Sequence, residues 1–256
     1  MRILAIDTAL PAVSACVLDH DAEEPIASER LEMERGHAEA LLPLIERVMS
    51  KVEGGFASID RVAVAVGPGS FTGIRIGLAA GQAIALACKA EIVGVSTLAA
   101  LAAPLILESF EGVVAAAIDA RHGKVYVAAF GPDGRALLTP RRAGAHEALR
   151  ALGDGPLLLI GSGAELLAKE ARARGVAVKI VGEQASPDIS YVARLGLAAQ
   201  PETAPARPLY LKEPDVTVDN KQQDAQPVGA ATDVPPAVET AMAPDVVSDA
   251  PSPAQA

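Results

Sequence analysis

Two halves of this chain carry the same order of hydrophobic periods, and that repetition restricts the fold more than any other feature. The first half reads as strands at 2–7, 14–19 and 26–32, a helix at 37–52, a strand at 61–66, a helix at 74–89, a strand at 91–95 and a helix from Thr97. The second half reads as strands at 113–119, 124–130 and 135–139, then a helix near 143–152, a strand at 156–160, a helix at 163–174, a strand at 176–181 and a helix at 188–199. Both halves open on one motif, Ala5-Ile6-Asp7 and Ala117-Ile118-Asp119. A β-β-β-α-β-α-β-α order written twice predicts two similar α/β lobes, placed here at 1–108 and 109–213, that descend from a duplication. The segment 214–256 differs from both. Its seven prolines, its lack of aromatics and its Ala/Pro/Asp/Val vocabulary read as a disordered tail.

Half of the residues are apolar, yet only 3% are aromatic and tryptophan is absent. The core must then be built from Ala, Val, Leu and Ile, which suits helices packed on a parallel or mixed sheet. Of the net charge of −10, the tail carries −6, since Asp215, Asp219, Asp224, Asp233, Glu239, Asp245 and Asp249 face Lys221 alone. The remaining −4 is no footprint for gripping phosphates, so any contact with nucleic acid is expected to be indirect. No apolar leader precedes Asp7, and the charge-free run Ile92–Leu107 is shorter than the ~18–20 residues of a membrane span. The expectation is a cytoplasmic protein without a membrane partner. Cys16 falls in a strand pattern and Cys88 in a helix pattern, as buried small hydrophobes would.

The loop Gly67-Pro68-Gly69-Ser70-Phe71-Thr72-Gly73 joins a strand to a helix N-terminus, where backbone N–H groups and the helix dipole can cradle an anion. The dinucleotide spacing would need glycine at Thr72, however, and the Gly-Lys-Ser/Thr run of a phosphate loop is absent. Gly67, Gly69 and Gly73 are therefore read as a tight structural turn. Asp7 and Asp119 end their first strands, but neither is followed by a turn small enough for phosphate. Each is expected to accept hydrogen bonds from its own turn. His37 would need a second ligand four residues on, and Leu41 stands there. His20, His122 and His146 fall in turn or surface contexts. No catalytic, cofactor or metal residue is assigned.

The helices at 37–52 and 74–89 carry more apolar surface than one sheet face can cover. In the first, apolar residues from Ala38 to Val52 span an arc of about 200°, twice what a single buried face requires. The second has no charge between Arg75 and Lys89, and its Gly77, Gly81 and Ala85 form a smooth ridge that lets another helix approach. Burial of both helices within the monomer is the alternative to an interface.

Several stretches together resemble the TsaB (YeaZ) family. They are Ile6-Asp7-Thr8-Ala9, Arg35-Gly36-His37-Ala38-Glu39-Ala40-Leu41-Leu42-Pro43 and Gly67-Pro68-Gly69-Ser70-Phe71-Thr72-Gly73-Ile74-Arg75-Ile76-Gly77. Gly94-Val95-Ser96-Thr97-Leu98, Ile118-Asp119-Ala120-Arg121 and Pro208-Leu209-Tyr210-Leu211-Lys212 follow in the same order. Lys212 stands where the family usually has arginine, and the tail lies outside the match. The resemblance implies a duplicated actin-like/RNase H-like fold. It also implies a non-catalytic subunit of the bacterial machinery that forms N6-threonylcarbamoyladenosine at adenosine 37 of tRNAs reading ANN codons. In that machinery the paralogue TsaD is the transferase, TsaE the ATPase and TsaC the source of the activated donor. TsaB pairs with TsaD through the two helices above and can form a homodimer through the same surface. On that basis the partner surface is expected at Leu41, Leu42, Ile45, Arg75, Ile76, Ala79, Gln82 and Ala83. The rival class is an enzyme, either metalloprotease-like or kinase-like. A third reading is a homodimeric scaffold without TsaD.

Overall fold

The structure, a computed structural model, describes residues 1–107, 112–182 and 184–211. The tail expected at 214–256 lies outside the described residues. The first half contains β1 (Arg2–Asp7), β2 (Ala12–Asp19), β3 (Ala27–Glu32), α1 (His37–Met49), β4 (Arg61–Gly67), α2 (Phe71–Cys88), β5 (Glu91–Ser96) and α3 (Thr97–Leu107). The second contains β6 (Val113–Asp119), β7 (Lys124–Phe130), β8 (Ala136–Gly144), α4 (Ala145–Leu152), β9 (Leu157–Ile160), α5 (Ala164–Ala173), β10 (Val178–Gly182) and α6 (Ile189–Ala198). The expected order holds throughout, and most boundaries fall within two or three residues of their predicted places.

Each half forms a five-stranded mixed sheet of one topology, β3-β2-β1-β4-β5 and β8-β7-β6-β9-β10. The first three strands of each are antiparallel neighbours, and the fourth and fifth run parallel to the first. Burial follows position in the sheet. β1 and β4 lie at the centre and are apolar almost without interruption, because helices cover both of their faces. β3, at the edge, alternates inward and outward residues.

On one face of the first sheet, α1 and α2 pack over Leu4, Ile6, Val13, Ala15, Val62 and Val64. The opposite face, made of Ile3, Ala5, Cys16, Leu18, Ala63 and Val93, is covered by Ile189, Val192 and Ala193 of α6, which belongs to the second half. The exchange is reciprocal. Leu98, Leu101, Ala102 and Leu105 of α3 cover Val114, Ala116, Ile118 and Ala128 of the second sheet. Each half thus keeps its own sheet while the final helices, α3 and α6, trade places. Two features hold α6 on the foreign sheet. Gly196 brings its backbone so close that an added Cβ would meet the Cβ of Ala63 at 2.5 Å. Arg61, only 8% exposed, donates from Nη1 to the carbonyls of Gly196, Leu197 and Ala199 at 3.0, 3.2 and 3.0 Å and ion-pairs with Glu91 at 2.6 Å. It satisfies carbonyls that a helix C-terminus otherwise leaves open.

Candidate partner surface and the glycine loop

The glycine loop is shaped by the turn after β1. Ala9 N donates to Asp7 Oδ1 at 2.8 Å, which folds the turn over the end of its own strand. Ser70 N then donates to the carbonyl of Ala9 at 2.7 Å, and Thr8 Oγ1 donates to the carbonyl of Gly73 at 2.7 Å. Ser70 Oγ accepts from Gly73 N at 3.2 Å and caps α2. A Cβ on Gly69 would collide with the Ala9 carbonyl, and one on Gly73 with the Thr8 carbonyl. The Ala9 and Thr8 carbonyls thus pack directly against Gly69 and Gly73, and two of the loop's N–H groups, those of Ser70 and Gly73, are already engaged. Asp119 closes its own turn in the same way, accepting from Arg121 N at 2.7 Å.

Asp7 is buried, and desolvation pushes its carboxyl up from 3.8 to about 6, with the Ala9 N–H acting against the shift. The Cys16 thiol is pushed up to about 12 by burial, and both cysteines are free. His37 makes a 3.1 Å hydrogen bond from Nε2 to the carbonyl of Leu10, so one ring nitrogen serves the β1–β2 turn. His20 meets Asp21 at 2.8 Å and His146 meets Glu170 at 2.7 Å, one carboxylate each. Among the described residues, no three His, Cys, Asp or Glu side chains gather as a metal site would need.

The residues expected at the partner surface divide by exposure. Arg75, Ala79, Gln82 and Ala83 are exposed and Ile76 is half-buried. Leu42 is 59% exposed. Leu41 and Ile45, each 1% exposed, belong to the monomer's own core, and their place on the expected surface is corrected accordingly. The physical reason lies in the width of the α1 arc: its inner half covers the sheet, and only the outer half is left for contact. Gly77 and Gly81 also face inward. Added Cβ atoms there would meet Thr8 Oγ1 and a Val64 methyl, so the small ridge seats α2 on its own sheet and not on another helix.

What α2 leaves outside is a stripe of Ala79, Gln82, Ala83, Leu86 and Ala87 with no charge, in which Leu86 is 82% exposed. The spacing of three and four is that of one helix face. By length and composition alone α2 is long and apolar enough to cross a bilayer; its inner side packs on β4 through Ile74, Gly77, Leu78, Gly81 and Ala85.

Periodicity assigned no element to the segment after α6, although Pro208-Leu209-Tyr210-Leu211-Lys212 is one of the stretches that carry the resemblance. Gly94 N donates to the carbonyl of Ala204 at 2.9 Å and Leu209 N to the carbonyl of Val66 at 2.8 Å, so the chain straps across the ends of β4 and β5. At the end of this strap Tyr210 stacks on Phe71, with ring centroids 4.6 Å apart. Arg75 joins both rings. It lies 3.8 Å over Phe71, and its Nε donates to the Tyr210 hydroxyl at 2.9 Å. Proline and the lack of periodicity around 205–211 hid the element.

Two mixed sheets of one topology, each sandwiched by helices and each lending a helix to the other, define a duplicated actin-like α/β protein. A family model described as "TsaD: tRNA N6-adenosine threonylcarbamoyltransferase" matches residues 31–183. The Escherichia coli K12 protein named tRNA threonylcarbamoyladenosine biosynthesis protein TsaB is 34% identical over 173 residues, covering 64% of this chain and 72% of the relative. Among solved structures, a Pseudomonas aeruginosa protein described as similar to peptidase YEAZ superposes with a TM-score of 0.64 at 26% identity, covering 82% of this chain and 99% of that one. A second structure, described as YeaZ from the same organism, gives 0.61 at the same identity and coverage. The chain belongs to the TsaB (YeaZ) family.

Proposed function

We propose that this chain is a non-catalytic subunit in the biosynthesis of N6-threonylcarbamoyladenosine on tRNA. It holds the TsaD transferase and, with TsaE, supports modification of adenosine 37 in tRNAs reading ANN codons. The observation that carries the reading is the uncharged outer stripe of α2, Ala79 to Ala87, with the exposed Leu42 on neighbouring α1. An apolar stripe of that length on one helix is most stable when another helix covers it. TsaD is the occupant proposed because the match to the family model named for the transferase supports a paralogue, and a paralogue would present an equivalent pair of helices. A second copy of this chain can use the same surface when TsaD is absent.

The closed glycine loop supports the non-catalytic part of the proposal. The Thr8 and Ala9 carbonyls press on Gly73 and Gly69, and His37 is engaged with Leu10 while Leu41, four residues on, lies in the core. Contact with tRNA then falls to the partners. The test is reconstitution from purified TsaD, TsaE, TsaC and this chain, with the modified nucleoside read by mass spectrometry. Product should form with all four proteins and be lost when this chain is omitted. Unchanged product without it would overturn the proposal.

A further inference from the structure

Arg75 is the only charged side chain in α2, and among the described residues it takes part in no ion pair. An exposed arginine normally samples many rotamers, and fixing it costs entropy. Here the guanidinium is already held. Phe71 lies beneath it at 3.8 Å, and the Tyr210 hydroxyl accepts from Nε at 2.9 Å. The two rings stack at 4.6 Å, and the strap hydrogen bond from Leu209 N to Val66 fixes the residue beside Tyr210. With Nε engaged, the two terminal amino groups have no hydrogen-bond partner among the described residues. The pair of donors matches a carboxylate. The group sits one turn before Ala79, where the uncharged stripe begins. No acidic residue of α2 competes for it in the first turn.

We propose that Phe71, Arg75 and Tyr210 form a preorganised clamp for one aspartate or glutamate on the partner helix docked along α2. The proposal rests on the reading of α2 as the TsaD-binding surface. Arg75 contacts the carboxylate, while Phe71 and Tyr210 are positioning residues. Because the guanidinium is ordered before docking, little rotamer freedom is lost when the pair forms. The pair also lies at the end of an apolar contact, where partial desolvation makes it stronger than an ordinary surface ion pair.

Calorimetry of the full chain with TsaD tests the clamp. R75Q should weaken binding about ten-fold or more, within the range for a charged anchor at an interface. It should also flatten the fall in affinity that wild type shows as salt rises to roughly 0.5 M. R75K should recover little, because an ammonium cannot supply the planar fork, and Y210F should fall between wild type and R75Q. R75Q binding like wild type, with the same salt dependence, overturns the clamp. A83E decides separately whether docking on α2 stands, since it places a charge in the stripe and leaves the clamp intact. The chain's own Glu213 and Asp215 follow closely on Tyr210 in sequence. If R75Q lowers only the melting temperature, and E213Q/D215N reproduces that loss, the carboxylate belongs to the chain's own tail and the proposal is overturned.

Discussion

Thr8 Oγ1 donates to the carbonyl of Gly73 across 2.7 Å, joining the turn after the first strand to the first turn of α2, 65 residues away. That bond draws Thr8 under α2 so closely that positions 73 and 77 have room for no side chain. Gly69 and Gly73 are therefore explained by the approach of the first turn, while Gly67 has a positive φ of 104° and lies against Ile74 and the Leu209 carbonyl.

Gly73→Ala should accordingly destabilise the fold by roughly 2–3 kcal/mol, the scale of overpacking against backbone that cannot give way. Gly55→Ala is not an equivalent control, because Gly55 has a positive φ of 53°. Gly144→Ala is suitable, with open space around its Cβ position. Urea unfolding of the two variants checks the contrast, and equal midpoints would refute the packing account.

Asp7 imposes a pH dependence with a definite sign. Its folded-state value of about 6 lies above the ordinary 3.8, so the folded protein holds the proton more tightly than the unfolded chain. Stability should rise as pH falls from about 6 toward 4, until the unfolded carboxyl is also protonated. Asp7→Asn keeps an oxygen for the Ala9 N–H and removes the charge. It should gain on wild type at pH 8 by up to about 3 kcal/mol and lose that advantage near pH 4. Unfolding free energies of both proteins across that range provide the check; a difference that does not vary with pH would count against buried ionisation.

Leu41 and Leu42 are neighbours in sequence with opposite surroundings. Leu41→Ala should cost about 2–5 kcal/mol of stability, as for other buried leucines, while Leu42→Ala should stay within about 0.5 kcal/mol. Only the second should weaken TsaD binding without altering the melt. Thermal unfolding paired with calorimetry distinguishes them.

These two residues also mark how far the sequence could be read. Strands and helices were legible because apolar periods of two and 3.6 survive in an Ala/Val/Leu core. Periodicity identifies an apolar face without saying what covers it. The wide arc of α1 thus ran Leu41, Ile45 and Leu42 together, and the glycines of α2 looked ready for another helix when they serve β4. The same ambiguity concealed the exchange of α3 and α6. Each has an apolar face suited to either sheet, and chain order favours the nearer one. The Tyr210 strap carries no period at all, so its role depends on contacts with Val66, Gly94 and Phe71 that only the folded chain brings together.

Arg61 ties that exchange together. Removing its side chain leaves three carbonyls at the end of α6 without their donor and frees Glu91. Arg61→Ala should cost roughly 1–3 kcal/mol, as for part-buried carbonyls left without their donor, since Glu91, 56% exposed, returns to water. Hydrogen exchange should show α6 and the first sheet loosening together. Loosening confined to the second half would contradict the exchanged packing.

Docking of TsaD on the outer stripe of α2 is read from the affinity of variants that carry a charge there. Ala83→Glu and Leu86→Glu lie on the exposed face and should melt within a few degrees of wild type. Each should weaken TsaD binding by roughly thirty-fold or more, since a buried charge at an interface centre costs about 2 kcal/mol or more. If both variants fold normally and bind TsaD as tightly as wild type, α2 is not the interface and the account fails.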